Sequence, residues 1–199
     1  ECWGRDDDGQ SSPPTGVFTH ISAGSFNTCG ILTSGAVECW GKNDDGESTP
    51  PEGTFVSISA GAKHACGVQG SGSMACWGYP EDGRTTPPTS AFIAVDSGAG
   101  HTCGVAETGA DEEVSAANIK CWGFNLFGQA TPPADVFLNV SAGSNHTCGA
   151  TEDLEAACWG SDNDGQSTVP STGTFVHVEA GGRHSCGLTS SGDITCWGY

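Results

Sequence analysis

The sequence predicts an all-β repeat protein: five copies of a unit of about 37 residues, with three strands to a unit. Three observations carry this reading. Cys-Trp-Gly occurs six times, at Cys2, Cys39, Cys76, Cys121, Cys158 and Cys196, at intervals of 37, 37, 45, 37 and 38 residues. Each interval holds a second cysteine followed by Gly, at Cys29, Cys66, Cys103, Cys148 and Cys186. No window keeps a 3.6-residue apolar period over helical length. A fixed period marks a repeat architecture, and a unit this short cannot bury a core alone, so neighbours must stack. The units read 2–38, 39–75, 76–120, 121–157 and 158–195, with 196–199 opening the next, in a single repeat domain spanning 1–199.

The second unit shows the grammar. After Cys39-Trp40-Gly41, the run Asn43-Asp44-Asp45-Gly46 predicts a tight turn, because Asn, Asp and Gly tolerate left-handed backbone. Ser48-Thr49-Pro50-Pro51 is an extended connector. Thr54–Ala60 reads as a strand of mixed alternation, and Gly61 breaks it. His64–Val68 is the second strand, Gly70-Ser71-Gly72 the turn, and Ser73–Trp77 the third strand. The other units keep Phe18, Phe92, Phe137 and Phe175 at the place of Phe55, and Gly24, Gly98, Gly143 and Gly181 at that of Gly61.

Cys66 and Cys76 lie ten residues apart around a Gly-rich centre, which sets them opposite each other on antiparallel strands. Directly opposite residues have Cα atoms roughly 4.5 Å apart, inside the disulfide range. The expected bridges are Cys29–Cys39, Cys66–Cys76, Cys103–Cys121, Cys148–Cys158 and Cys186–Cys196. Each closes a short loop and stabilises by about 2–3 kcal/mol in the chain-entropy model. Zinc and redox sites are excluded on spacing, since no C-x-x-C occurs. Structural disulfides imply an oxidising, extracellular setting. Cys2 has no partner within the chain; its mate is expected ten residues upstream, in a preceding unit, and the chain, which begins at Glu1 inside the motif, reads as a piece of something longer.

The net charge is −18, from 24 acidic and 6 basic residues. That sign argues against nucleic acid, whose phosphates need Lys and Arg, and against anionic lipid surfaces. No stretch of about 18 apolar residues is present to cross a membrane as a helix.

The pattern Phe18-Thr19-His20-Ile21-Ser22-Ala23-Gly24 … Cys29-Gly30 … Gly35-Ala36-Val37-Glu38-Cys39-Trp40-Gly41 resembles repeats of the regulator-of-chromosome-condensation type over the whole chain. The short, secreted, crinkly-like forms with Cys-Trp-Gly are the most similar sub-group. The resemblance implies a β-propeller with short, three-stranded blades. Family members usually close with seven blades, so five units imply part of a larger propeller, ahead of closure with five or an open array. The family name also implies nucleotide exchange on a small GTPase and chromatin binding; acidity and disulfides argue against both.

His64, His101, His146 and His184 precede the hairpin cysteine by two residues, with Asn27 in the first unit. A propeller holds equivalent positions one per blade, too far apart for one zinc ion. The expected role is a hydrogen bond to backbone within the repeat. The Asp/Asn-rich turns resemble calcium loops superficially, but they lack the further bidentate carboxylate, and Asn125-Leu126-Phe127-Gly128 lacks the acids altogether. The tryptophans are expected in the inter-blade core. Asn139-Val140-Ser141 and Asn145-His146-Thr147 are candidate glycosylation sites at Asn139 and Asn145. The hairpin inserted between Glu107 and Lys120 breaks the repeat, and Glu107, Asp111, Glu112 and Glu113 form a candidate binding loop. No nucleophile elbow, P-loop or other catalytic constellation stands out.

The sequence therefore predicts a non-enzymatic extracellular recognition module that binds a protein or glycan through its loop rims. The alternative is a structural, glycosylated segment of an extracellular fibre, sheath or appendage that binds copies of itself. No metal or other cofactor, no nucleic acid and no membrane insertion are expected.

Overall fold

The computed structural model describes residues 1–107, 118–171 and 173–199. Five three-stranded antiparallel sheets follow one another. They are β1–β3 (Phe18–Ala23, Asn27–Leu32, Val37–Gly41), β4–β6 (Phe55–Ala60, His64–Gln69, Met74–Gly78), β7–β9 (Phe92–Ser97, His101–Ala106, Ile119–Gly123), β10–β12 (Phe137–Ala142, His146–Thr151, Ala156–Gly160) and β13–β15 (Phe175–Ala180, His184–Thr189, Ile194–Gly198). Among the described residues the only helical element is a 3-10 turn at Glu81–Gly83. The sheets are the blades of part of a propeller.

The mixed alternation of the first strand has a physical cause. In every blade the register slips by one residue just after the leading Phe, as between Phe55↔Gln69 and Ser57↔Val68. This bulge leaves Val56, Ile93, Leu138 and Val176 at solvent while Phe and the next aliphatic stay buried. The cysteine pairs face one another in the second ladder, with Cα atoms 4.0–4.1 Å apart and all five bridges formed. Cys2 is free.

Each blade has two unlike faces. The front carries the disulfide and two aliphatics, for example Val68 and Met74 beside Cys66–Cys76. The back carries the leading Phe, an aliphatic three residues on, and Trp. Front packs on back: Cys66, Val68 and Met74 receive Phe92, Val95 and Trp122 of the next blade, and the other three interfaces repeat this. Phe and Trp of one back face meet edge-on or tilted at 5.5–6.1 Å between ring centroids. Two such faces stay open. On the back of the first blade Ile21 is 55% exposed, and on the front of the fifth Ile194 is 72% exposed.

Two glycines of the motif are explained by close approach. Gly61 closes the first strand at an ordinary φ; a Cβ there would lie 2.5 Å from the Gly98 carbonyl oxygen of the next blade. Its place is needed for blade spacing, not for a strand break. The Gly of Cys-Trp-Gly takes φ of 97–105° at Gly41, Gly78, Gly123, Gly160 and Gly198, which turns the chain off the third strand.

Candidate functional site: two loop rims and the joints beneath them

Antiparallel strands put loops at two opposite ends. One rim holds the turns between the first and second strands together with the turns that follow Cys-Trp-Gly; they are tied by backbone bonds such as Tyr79 N–H to the Lys63 carbonyl, 2.9 Å. The other rim holds the hairpins between the second and third strands. Five of the six basic residues, Arg5, Lys42, Lys63, Arg84 and Arg183, belong to the Cys-Trp-Gly rim. Lys120 alone lies toward the hairpin rim, where its ammonium donates to the Ser90 hydroxyl.

The rims stand on repeated joints. The indole N–H of Trp40, Trp77, Trp122, Trp159 and Trp197 donates to the carbonyls of Gln10, Glu47, Arg84, Gln129 and Gln166, at 2.9–3.0 Å. His64, His101 and His146 reach across to hydroxyls of the next blade: Thr102 at 2.7 Å, Thr147 at 2.7 Å and Ser185 at 2.9 Å. This corrects the expected backbone partner within the repeat, because the ring points out of its own sheet into the interface. The hydroxyls of Thr147 and Ser185 donate onward to Gln129 and Gln166 carbonyls. Their protons are therefore spent, so His101 and His146 donate from Nε2 and leave Nδ1 bare. Buried Nδ1 has no partner in all three rings. Burial drives His64 down to about 3, helped by Arg84 and His101, and His101 down to about 4, helped by His146. His146 is also lowered, chiefly by burial.

The first joint departs from this rule at both partners. Asn27 replaces His, and Ala65 replaces the hydroxyl. The Asn27 amide reaches the Glu47 carbonyl directly at 3.4 Å, so a side-chain amide spans what His and hydroxyl span together elsewhere. Nearer the axis runs a second belt. Ser22, Ser59, Asp96 and Ser141 each accept a backbone N–H from the next blade they serve, at Ala60, Ser97, Ala142 and Ala180 (2.8–3.0 Å). Burial raises the Asp96 carboxyl, against the N–H of Ala142 and the hydroxyl of Ser59, which lower it.

The predicted site residues fall in separate places. Glu107 is exposed at the end of β8, and its N–H donates to the Ala91 carbonyl at 2.9 Å. Asp111, Glu112 and Glu113 lie outside the described residues. Asn118, which sequence reasoning missed, clamps the base of this insertion: its amide exchanges two 2.9 Å bonds with the backbone of Phe137. Other blades use a hairpin backbone carbonyl there, such as Gly35 for Phe55. Asn145 is exposed on the Cys-Trp-Gly rim, whereas the Asn139 amide donates to the Val178 carbonyl at 2.9 Å. Among the described residues no three His, Cys, Asp or Glu side chains gather as a metal set, and no helix is long and apolar enough to cross a membrane. The turn carboxylates hold their own loops, as Asp6 does with the Ser12 hydroxyl and Ser11 N–H, which lower it.

Disulfide-pinned blades with variable rims define a propeller-type scaffold. The family model for the regulator of chromosome condensation (RCC1) repeat matches residues 18–47, 55–84, 137–166 and 175–199, more than half of the chain, and the chain belongs to this family. The unmatched stretch covers the blade that carries the insertion. The chain is similar to the entire ectodomain of the Physcomitrella patens receptor kinase CR4, at 25% identity and TM-score 0.77, over 94% of this chain and 53% of that one. It is similar to the CRINKLY WD40 ectodomain of the Arabidopsis thaliana receptor kinase ACR4, at 28% identity and TM-score 0.75, over 94% and 66%. Yeast RCC1 (Prp20), solved bound to Kap60, shares the fold at 16% identity and TM-score 0.74, over 92% and 56%. The chain thus spans about half to two-thirds of the length of these relatives. No curated protein matches it.

Proposed function

We propose that the protein is a non-enzymatic binding module that works outside the cell and engages a protein or glycan through its loop rims. One observation carries this reading. The blades are locked by the same disulfide and Trp joints, with a His–hydroxyl joint at three of the four interfaces, while the rim loops diverge, most of all in the sequence between Glu107 and Asn118. Rigid scaffolds with divergent loops are how binding surfaces are commonly built. The five disulfides and the receptor-kinase ectodomains that share the fold support an extracellular setting. The test is binding of the 199-residue chain to arrays of extracellular proteins and of glycans. Saturable binding that is lost when 107–118 is replaced by the short turn 70–73 is expected; binding indifferent to every rim change would remove the reading.

A second reading, a glycosylated structural segment that assembles on copies of itself, draws on the two open faces. Phe18 and Ile21 on one end match the chemistry that Leu188, Ile194 and Cys186–Cys196 on the other end would receive. Head-to-tail contact of unlike faces gives rings or filaments. Sedimentation over a concentration series tests it: a monomer at every concentration excludes it.

A further inference from the structure

Two contacts recur in the turns after Cys-Trp-Gly. The first side chain accepts the N–H five residues on, as Asn125 Oδ1 does from Ala130 at 2.8 Å and Asp162 Oδ1 from Ser167 at 2.8 Å. The third residue donates its N–H to the Glu or Gln two residues on, as Phe127 does to Gln129 at 3.0 Å and Asp164 to Gln166 at 2.8 Å. Where the two middle side chains are acidic they pair with nearby bases, as Asp45 does with Lys63 at 3.7 Å and Asp164 with Arg183 at 3.8 Å. The middle pairs are Asp7-Asp8, Asp44-Asp45 and Asn163-Asp164 in three units, but Leu126-Phe127 in the fourth, where they are 75% and 44% exposed. The recurring turn bonds do not call for two apolar side chains there.

They do not stand alone. Phe127 meets Phe124 edge-on at 6.2 Å. Phe124 and the Arg84 guanidinium both border Gly100, where a Cβ would come within 3.2 and 3.5 Å of them. Arg84 and Lys63 lie over the Tyr79 ring at 5.2 and 4.9 Å. The result is a strip that runs from Tyr79 through Arg84 and Phe124 to Phe127 across two blades. Its middle lacks a side chain, because Gly100, itself buried, stands where other blades place Phe26, Lys63, Asn145 or Arg183. The neighbouring turns carry Glu81 and Asp82 on one side and Asp162 and Asp164 on the other.

We propose that the strip Tyr79–Phe124–Leu126–Phe127 is a docking site for a protein segment that sets an apolar side chain beside Lys or Arg. The inference rests on the reading of the protein as a rim-binding module. Aromatic and aliphatic anchors supply the contact energy, and the net charge of −18 on the chain favours a basic partner. A glycan fits worse: the Phe pair offers edges instead of one flat platform, and Arg84 is engaged by Asp82 at 2.8 Å and so is not free for an acidic sugar.

The test pans a random-peptide phage library on the 199-residue chain and measures the enriched peptides, fluorescein-labelled, by fluorescence polarisation. The comparison variant L126N/F127D copies the Asn163-Asp164 turn, so it keeps the turn bonds and adds acid; an unchanged melting temperature checks the fold. Enriched peptides should pair Leu, Phe or Trp with Lys or Arg and weaken as salt rises. Their affinity for L126N/F127D should fall at least about thirtyfold, the scale of a hot-spot contact. Equal or tighter binding to L126N/F127D overturns the proposal, because charge alone would then suffice. Peptides that keep L126N/F127D but lose a chain carrying turn 70–73 in place of 107–118 overturn the strip and leave rim binding standing. No enrichment of any peptide overturns the strip, and with empty protein and glycan arrays it removes rim binding as well.

Discussion

Lowering the pH from about 7.5 to about 5 should loosen the joints between blades, and the loss can be traced to single histidines. His101 is buried, donates from Nε2 to Thr147, and has no acceptor at Nδ1 for a second proton. Burial holds it at about 4, against about 6.5 for an exposed histidine. The folded state therefore binds fewer protons than the unfolded chain between these values. Stability is complete above about pH 6.5 and falls as the pH drops toward about 4. At pH 5 the unfolded imidazole is almost fully protonated and the folded one is not, which costs about 2 kcal/mol for this residue. His64, at about 3, adds a similar amount, and His146 acts in the same direction. Asp96 opposes them: its raised carboxyl gains a proton more readily in the fold. The protein supplies its own control in the Asn27–Ala65 joint. H101N/T147A transplants that joint, so its Asn amide should reach the Gln129 carbonyl at neutral pH. Urea unfolding followed by tryptophan fluorescence, with disulfides intact, should show the double variant losing about 2 kcal/mol less than the parent over that interval. Equal losses in both proteins would refute the reasoning, as would an NMR titration of His101 near the ordinary imidazole value.

Further outcomes follow from the same joints. Gly61→Ala places a methyl 2.5 Å from the Gly98 carbonyl and 2.7 Å from the His64 ring, so calorimetry should show a loss at the upper end of overpacking, about 3 kcal/mol. Cys66→Ser with Cys76→Ser opens a ten-residue loop and should cost about 2–3 kcal/mol by denaturant titration. Intact mass before and after reduction should differ by about 10 Da, two hydrogens for each of five bridges, with one thiol, Cys2, reactive beforehand. Expression through a eukaryotic secretory pathway should put glycan on Asn145 and leave Asn139 bare by peptide mapping, since the Asn139 amide is engaged by Val178.

Much of the joint chemistry was legible once its pairs were known. Asn27 and Ala65 depart from the repeat together, and that double departure is visible in the letters alone. Without the stacking of blades, nothing says that the hydroxyl beside one histidine serves the histidine of the blade before. The same holds for Asn118, which reads as an ordinary loop residue until its amide is seen clamping Phe137. Leu126-Phe127 was visible as a turn without acids. Its continuity with Phe124, Arg84 and Tyr79 was not, because those residues come from two blades.

The sequence by itself determined the period, the three strands per unit and the cysteine partners. All three depend on local spacing: a ten-residue separation around a turn places two side chains opposite each other however the hairpins stack. The tertiary structure decided everything that crosses between blades. It decided which face of each sheet is front or back, why Gly61 must lack a side chain, where the imidazole proton goes, and which rim turns merge into one strip. These contacts join residues about one repeat apart, and only the packing of one blade on the next brings them within bonding distance.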